Sequence, residues 1–155
     1  MGKLRARAWW YLVAFSALIV VFGFSDVLLG AAADPGIALG VTGVTLPELE
    51  AQSAPGYRMY DFTTRTQGWN LTVIGVLLLA ILLVPYRAGR RWAWWALWIL
   101  PAWSFGIPGL YVAVGLAPSQ PPPPPLISGP VLGAIAAAAL LVDRRRFHIA
   151  ASEGP

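Results

Sequence analysis

Four long apolar stretches dominate the pattern of hydrophobic and polar positions along the chain. They run over about residues 8–33, 68–86, 92–116 and 126–142, and charged residues fall mainly between them. An α-helix rises about 1.5 Å per residue and needs about 20 residues to cross about 30 Å of hydrocarbon. The pattern therefore predicts an all-α protein, in which residues 1–155 form a single membrane domain built as a four-helix bundle.

The basic residues predict how these spans are oriented. Nine of the eleven lysines and arginines precede span one, separate spans two and three, or follow span four. Only Arg58 and Arg65 lie between spans one and two. With four spans the three basic clusters share one side of the membrane, and the positive-inside rule assigns that side to the cytoplasm. We therefore expect a multi-pass protein of the cell membrane with both termini in the cytoplasm.

Tryptophans are concentrated at the same ends of the spans as the basic residues. Trp9 and Trp10 open span one, and Trp92, Trp94 and Trp95 open span three, each next to a basic cluster. Amphipathic rings prefer the headgroup level of a bilayer. We interpret these five side chains as interfacial anchors.

The first span is expected to be a retained helix. Its uncharged part runs from Ala8 to Ser25, which is longer than the about 7–15 apolar residues of a signal peptide. The small residues Ala31–Ala33 resemble a cleavage site, so a cleaved signal peptide is the alternative.

A long extracytoplasmic loop is predicted between spans one and two, at residues 34–67. Within it, Thr45–Glu48 has the pattern of a helix start, with a capping residue followed by proline and an acid. The Ala54–Gly56 segment, which contains proline and glycine, is expected to break the chain. Residues 57–67 could then form a short helix that runs into span two.

The two remaining connections differ in kind. The turn between spans two and three is short and basic, which predicts that these spans are antiparallel neighbours. The loop at residues 117–125 ends in five consecutive prolines, which favour a stiff polyproline II spacer.

Small residues at helical spacing predict the packing faces of spans one and four. Such residues let helix backbones approach closely in a membrane, where apolar burial does not favour association. The predicted packing positions are Gly23 and Gly30 in span one and Gly129, Gly133 and Ala137 in span four.

Asp26 is the one charged residue inside a predicted span. A carboxylate costs about 2.5–3.5 kcal/mol at the centre of a bilayer, so it needs a partner, a proton or water. Arg65, Gln67 and Asn70 are expected at a similar depth, at the entrance to span two. We hypothesise an outer-leaflet polar cluster built around Asp26, Arg65 and Asn70, which could be joined from the outer side by Arg58, Asp61 and Tyr111. A structural ion pair between the loop and the bundle is one interpretation, and a ligand-binding pocket is the other. A solvated Asp26 is a third.

Composition narrows the function classes. The chain is 57% hydrophobic and 12% charged, about half the charged fraction of a soluble domain. The basic residues lie at span ends and form no nucleic-acid motif. The chain has no cysteine and one histidine, and its acids have no metal-binding spacing. We therefore expect no metal, no cofactor, no catalytic residue and no nucleic-acid partner.

Four short segments from the start of span two to the start of span three form a pattern: Arg65–Gly68, Val84–Tyr86, the basic turn Arg87–Arg91 and Trp92–Trp95. This pattern resembles the DoxX-like family of small four-span bacterial membrane proteins. The resemblance covers about 30 residues and implies a four-helix fold in the bacterial inner membrane, without implying an activity.

The expected function is that of a non-enzymatic accessory or interaction subunit. Its partners would be the lipid bilayer and another membrane protein or a second copy, contacted through the outer loop and the small-residue face of span four. The alternative is binding of a lipid or apolar small molecule in an outer-leaflet pocket. A transporter or channel subunit is less favoured, because transport pathways usually need more than one charge within the spans.

Overall fold

The computed structural model describes residues 2–113 and 122–149, and the regular structure of that part of the chain is entirely helical. This confirms the all-α prediction. A 3-10 turn, Gly30–Ala33, extends the first helix, and a π-helical turn, Leu82–Tyr86, extends the fourth. The α-helices are α1 (Gly2–Leu29), α2 (Pro35–Thr42), α3 (Leu46–Gln52), α4 (Ala54–Ile81), α5 (Arg91–Ala96), α6 (Ile99–Ala113) and α7 (Pro124–Ile149).

Four helical stretches are long and apolar enough to cross a membrane, as the sequence predicts. They are Arg7–Ala33, Ala54–Tyr86, Arg91–Ala113 and Pro124–Arg144. The third stretch consists of α5 followed by α6. Residues 114–121, which include the predicted end of span three and the first part of the 117–125 loop, lie outside the described residues. Pro124 and Pro125 begin α7, so this end of the predicted polyproline II spacer is helical.

The segment between spans one and two is mostly helical instead of a loop. It contains α2, α3 and the first part of α4, so the helix that includes the predicted span two begins at Ala54. The hydroxyl of Ser53 accepts the Gly56 N–H at 3.1 Å and caps α4. Pro55 fits the first turn of a helix, where no N–H donor is required. The proline and glycine that were expected to break the chain therefore begin a helix.

The start of α3 matches the predicted capping chemistry. The Thr45 N–H donates to the Glu48 carboxylate at 2.7 Å, and the Thr45 hydroxyl donates to it at 2.8 Å. These two bonds hold the pKa of the Glu48 carboxyl below its usual range, and the bond from the backbone N–H has the larger effect. Gly43, with a left-handed φ of 75°, ends α2 just before this cap.

The spans pack in a different order from the one the short turn suggests. In the described residues α4 packs along α1, α6 packs along α7, and α1 also contacts α7. Spans two and three meet mainly where α5 touches the π-helical turn. All four spans join at that end in one apolar core. Its most buried large side chains are Leu12, Leu82, Tyr86, Leu97, Leu100, Leu140 and Phe147.

The backbones of α1 and α4 touch at two glycines. A Cβ atom on Gly23 would lie 2.6 Å from the Thr72 nitrogen and 2.7 Å from the Gly68 oxygen. A Cβ on Gly68 would lie 2.5 Å from the Asp26 Cβ. Gly75 continues the same contact against Val20. The predicted small face of span one therefore packs on a second small face, on α4, that the sequence analysis did not identify.

The small residues of α7 pack against α6. Added Cβ atoms on Gly129 and Gly133 would lie 2.9 Å and 2.8 Å from Ser104 atoms. Ala137, one turn further along, is partly buried. This face of α7 is therefore occupied within the bundle.

We predict that Gly68→Ala destabilises the protein by about 1–3 kcal/mol, the usual cost of overpacking a tight contact. The added methyl group must push the α1 and α4 backbones apart. The matched control is Gly106→Ala in α6, where an added Cβ meets nothing within 4 Å. This control should be neutral or stabilising, since alanine favours helix. Thermal unfolding in detergent, followed by circular dichroism, measures both variants, and equal midpoints would contradict the proposed contact.

Candidate functional site

An ion pair on α4 binds the end of α1. The Arg65 Nε donates to Asp61 Oδ2 at 2.8 Å. The Arg65 Nη1 donates to the carbonyl oxygens of Val27 and Leu28 at 2.7 Å and 2.9 Å. Asp61 Oδ1 accepts the Ala31 N–H at 2.9 Å. The Asp61–Arg65 pair therefore satisfies backbone groups that a helix end leaves without partners.

Gly30 explains why α1 ends at this point. It is buried and has a φ of 59°, in the left-handed region that favours glycine. A Cβ at this position would overlap the Asp61 carboxylate. Gly30 was expected only to pack, and the structure shows that it also ends the helix and leaves room for the ion pair.

The predicted polar cluster is arranged differently from the hypothesis. Arg65 pairs with Asp61 and not with Asp26. Asp26 is half-buried on α1, and it makes no hydrogen bond to another described residue. Asn70 is exposed on α4, while Tyr111 is partly buried on α6, and its hydroxyl has no hydrogen-bond partner among the described residues. A ligand-binding role for these residues stays a prediction.

Tyr60, on α4, lies in the same outer region. It is close enough to Asp26, Asp34 and Tyr111 to interact with them electrostatically, and it is partly buried. These four side chains are two carboxyl groups and two phenols. Arg65, the arginine expected to pair with Asp26, is instead bonded to Asp61 and to α1.

A stripe of exposed polar residues runs along α4. Thr63, Gln67 and Asn70 are separated by four and three residues, so they share one helical face. The Thr63 hydroxyl donates to the Met59 carbonyl oxygen at 2.8 Å, within its own helix. The side-chain amides of Gln67 and Asn70 make no hydrogen bond to another described residue. They are therefore polar groups on the outside of an apolar helix.

The opposite end of the bundle contains a buried acid that the sequence analysis missed. Asp143 is 2% exposed and accepts a hydrogen bond of 2.8 Å from the Tyr86 hydroxyl. The Phe147 ring packs on the Tyr86 ring with centroids 4.8 Å apart. Asp143 lies at helical spacing between the buried Leu140 and Phe147, a signal that could have identified it as an inward-facing residue.

Two of the predicted tryptophan anchors make bonds within the protein. Trp94 is 3% exposed, and its indole N–H donates to the Leu140 carbonyl oxygen at 2.9 Å. The half-buried Trp9 donates to the Leu82 carbonyl oxygen at 3.3 Å. Trp94 is therefore a core residue and not an exposed anchor. The exposed tryptophans of this end are Trp10, Trp92 and Trp95.

Comparisons of the chain with family models, with curated proteins and with solved structures found no match. No group of three or more His, Cys, Asp or Glu side chains in the described ranges could hold a metal ion. The class of protein is therefore defined by the fold: a helical protein with four candidate membrane spans.

We predict that Arg65→Gln lowers stability by about 1–3 kcal/mol, because α1 carbonyls and Asp61 lose their partner. The lower end of this range is expected, since the Arg65 side chain is 41% exposed and solvent weakens such pairs. Arg58→Gln, which removes an exposed arginine of the same helix, is the control. Unfolding midpoints in detergent compare the two, and an unchanged midpoint for Arg65→Gln is the contrary result.

We predict that Tyr86→Phe destabilises the protein by about 1–3 kcal/mol, because it leaves a buried Asp143 oxygen without its donor. A double-mutant cycle with Asp143→Ala, which removes the acceptor, measures the coupling of the two side chains. Additive losses would show that the hydrogen bond contributes nothing of its own.

Proposed function

We propose that the protein is a non-enzymatic interaction subunit of the membrane, and that the exposed face of α4 binds a transmembrane helix of its partner. The observation that carries this proposal is the exposed, unbonded amide of Asn70. We also propose, from the positive-inside rule, that the arginine-rich end faces the cytoplasm of a bacterial cell. Membership of the DoxX-like family stays a prediction.

Asn70 is expected to lie within the hydrocarbon. The stretch from Asp61 to Leu82 is about 32 Å long at helical rise, close to the thickness of the hydrocarbon layer. Trp9 bonds to Leu82, which fits an interface at that level, because indole rings favour the headgroup region. Asn70 then lies about 14 Å from Asp61 along the helix, inside the hydrocarbon layer.

An amide exposed to hydrocarbon is costly. Transfer of such a group without a hydrogen bond costs about 2–7 kcal/mol, depending on the reference state. A polar group on a second helix restores the lost bond, and such interhelical bonds hold membrane helices together. The Asn70 side chain offers both donors and an acceptor, so a helix with Asn, Gln, Ser or Thr at this depth fits it.

The described structure favours α4 over the surfaces expected from sequence. Gly129 and Gly133, the small residues of span four, are occupied by Ser104 and are not free for a partner. A lipid-binding pocket oriented by Arg65 is less favoured as well. Three bonds to Asp61 and α1 engage this guanidinium.

Asn70→Leu tests the proposal. The variant should keep or raise the unfolding midpoint, and it should weaken the complex that the wild-type protein forms in mild detergent by roughly three- to twentyfold. The control is Val73→Leu, a neighbouring exposed position of α4 that stays apolar. A complex that survives Asn70→Leu, or a wild-type protein that is monomeric in native mass spectrometry of membrane vesicles, contradicts the proposal.

The chain has no cysteine, so a single introduced thiol can show whether the partner is a second copy or a different protein. A single Leu77→Cys substitution places a thiol on the exposed side of α4, 57% exposed in the wild type. Oxidation of native membranes should then yield a disulfide-linked dimer only if α4 packs on a second copy. A complex without that dimer assigns the partner to another protein.

A further inference from the structure

The arginine-rich end of the bundle has exposed positive charges and no exposed described carboxylate. The one described acid at this end, Asp143, is 2% exposed and bonded to Tyr86. The exposed charges of this surface are therefore all positive within the described residues. Its exposed arginines are Arg7, Arg87, Arg90, Arg91, Arg144 and Arg146.

Arg146 contacts the backbone of Arg87, and both arginine side chains lie against neutral groups. The Arg87 guanidinium carbon lies 5.3 Å from the centroid of the Trp9 ring. Arg146 Nη2 donates to the backbone carbonyl oxygen of Arg87. The Arg146 guanidinium carbon also lies 5.5 Å from the centroid of its neighbour Phe147. These contacts position both side chains, and none of them neutralises a charge.

The two guanidinium groups keep donors for a ligand. Arg87 makes no side-chain hydrogen bond to another described residue, and Arg146 uses one of its five N–H groups on Arg87. A guanidinium group can donate two parallel hydrogen bonds to two oxygens of one phosphate, an arrangement that a lysine ammonium group cannot form. A phosphate group bound by both Arg87 and Arg146 would bring a negative charge to this basic surface and use these donors.

The position of the pair indicates a lipid phosphate. Arg87 lies just beyond the π-helical turn, and Trp9, which it covers, bonds to Leu82 within that turn. An indole at this point fits the headgroup level of a bilayer. Trp10, 62% exposed, follows Trp9 towards the apolar part of α1. Acyl chains can lie along this part of α1 while the phosphate binds the arginines.

We propose that Arg87 and Arg146 form a binding site for the phosphate of an anionic phospholipid. The site lies between the turn after span two and the end of α7. Arg87 and Arg146 contact the headgroup. The other arginines of this end add only to the positive electrostatic potential there. This inference does not depend on the partner proposed for α4.

The test is a lipid titration of the purified full-length protein by native mass spectrometry in mild detergent. Phosphatidylglycerol is the probe, and phosphatidylcholine is the lipid without net charge. Arg87→Gln and Arg146→Gln should each weaken phosphatidylglycerol binding roughly tenfold, as expected for a lost charge-assisted bond. The matched controls Arg90→Gln and Arg144→Gln remove the same charge from exposed positions and should weaken it by no more than about threefold.

Arg146→Lys separates a lipid effect from a folding effect. It keeps the charge but loses the planar pair of donors, so lipid binding should fall while the unfolding midpoint stays that of the wild type. Equal losses in all four glutamine variants would overturn the proposal in favour of a diffuse basic surface. Equal affinity for the two lipids would overturn it as well. Displacement of phosphatidylglycerol by millimolar inorganic phosphate would assign the site to free phosphate and not to lipid.

Discussion

The backbone contact between Gly23 and Gly68 is the constraint on which the rest of the bundle depends. Within a membrane, apolar side chains gain nothing by leaving lipid for each other, so helices associate through close packing and hydrogen bonds. The missing side chains of these glycines let α1 and α4 touch along their backbones. The Asp61–Arg65 pair at one end and the Trp9–Leu82 bond at the other then set the register of the two helices.

This contact decides which side of α4 remains outside. Because α4 is committed to α1 through Gly68 and Gly75, its opposite side carries Gln67 and Asn70 away from the bundle. In the same way α7 presents its glycines to α6, which leaves α6 without an extensive contact to α4. The bundle is thus made of two closely packed pairs that share a common core of large side chains only at the arginine-rich end.

The sequence predicts those features that depend on local chemistry or on long apolar stretches. Four spans follow from apolar length, and the start of α3 follows from Thr45 and Glu48, which bond each other three residues apart. The start of α4 was expected at residue 57 and lies at Ala54, because proline and glycine usually mark a break, although proline also suits a first helical turn. Asp61 was expected only to join a cluster built around Asp26 and Arg65, although its spacing of four residues from Arg65 favours a pair within α4. The outward face of Asn70 was not predictable, because it depends on which helix α4 packs against.

The π-helical turn at Leu82–Tyr86 changes the direction in which the side chains of span two point. Before the turn they face α1, and after it Tyr86 faces α7. Tyr86 lies 18 residues after Gly68, about five full turns of a regular α-helix, so regular winding would point it at α1. A π-helical turn holds more residues per revolution and rotates Tyr86 aside, where it meets Asp143 of α7. The contact at Gly68 holds the outer part of span two against α1. Rewinding the five residues to α-helix would therefore turn Tyr86 back towards α1 and take its hydroxyl away from Asp143.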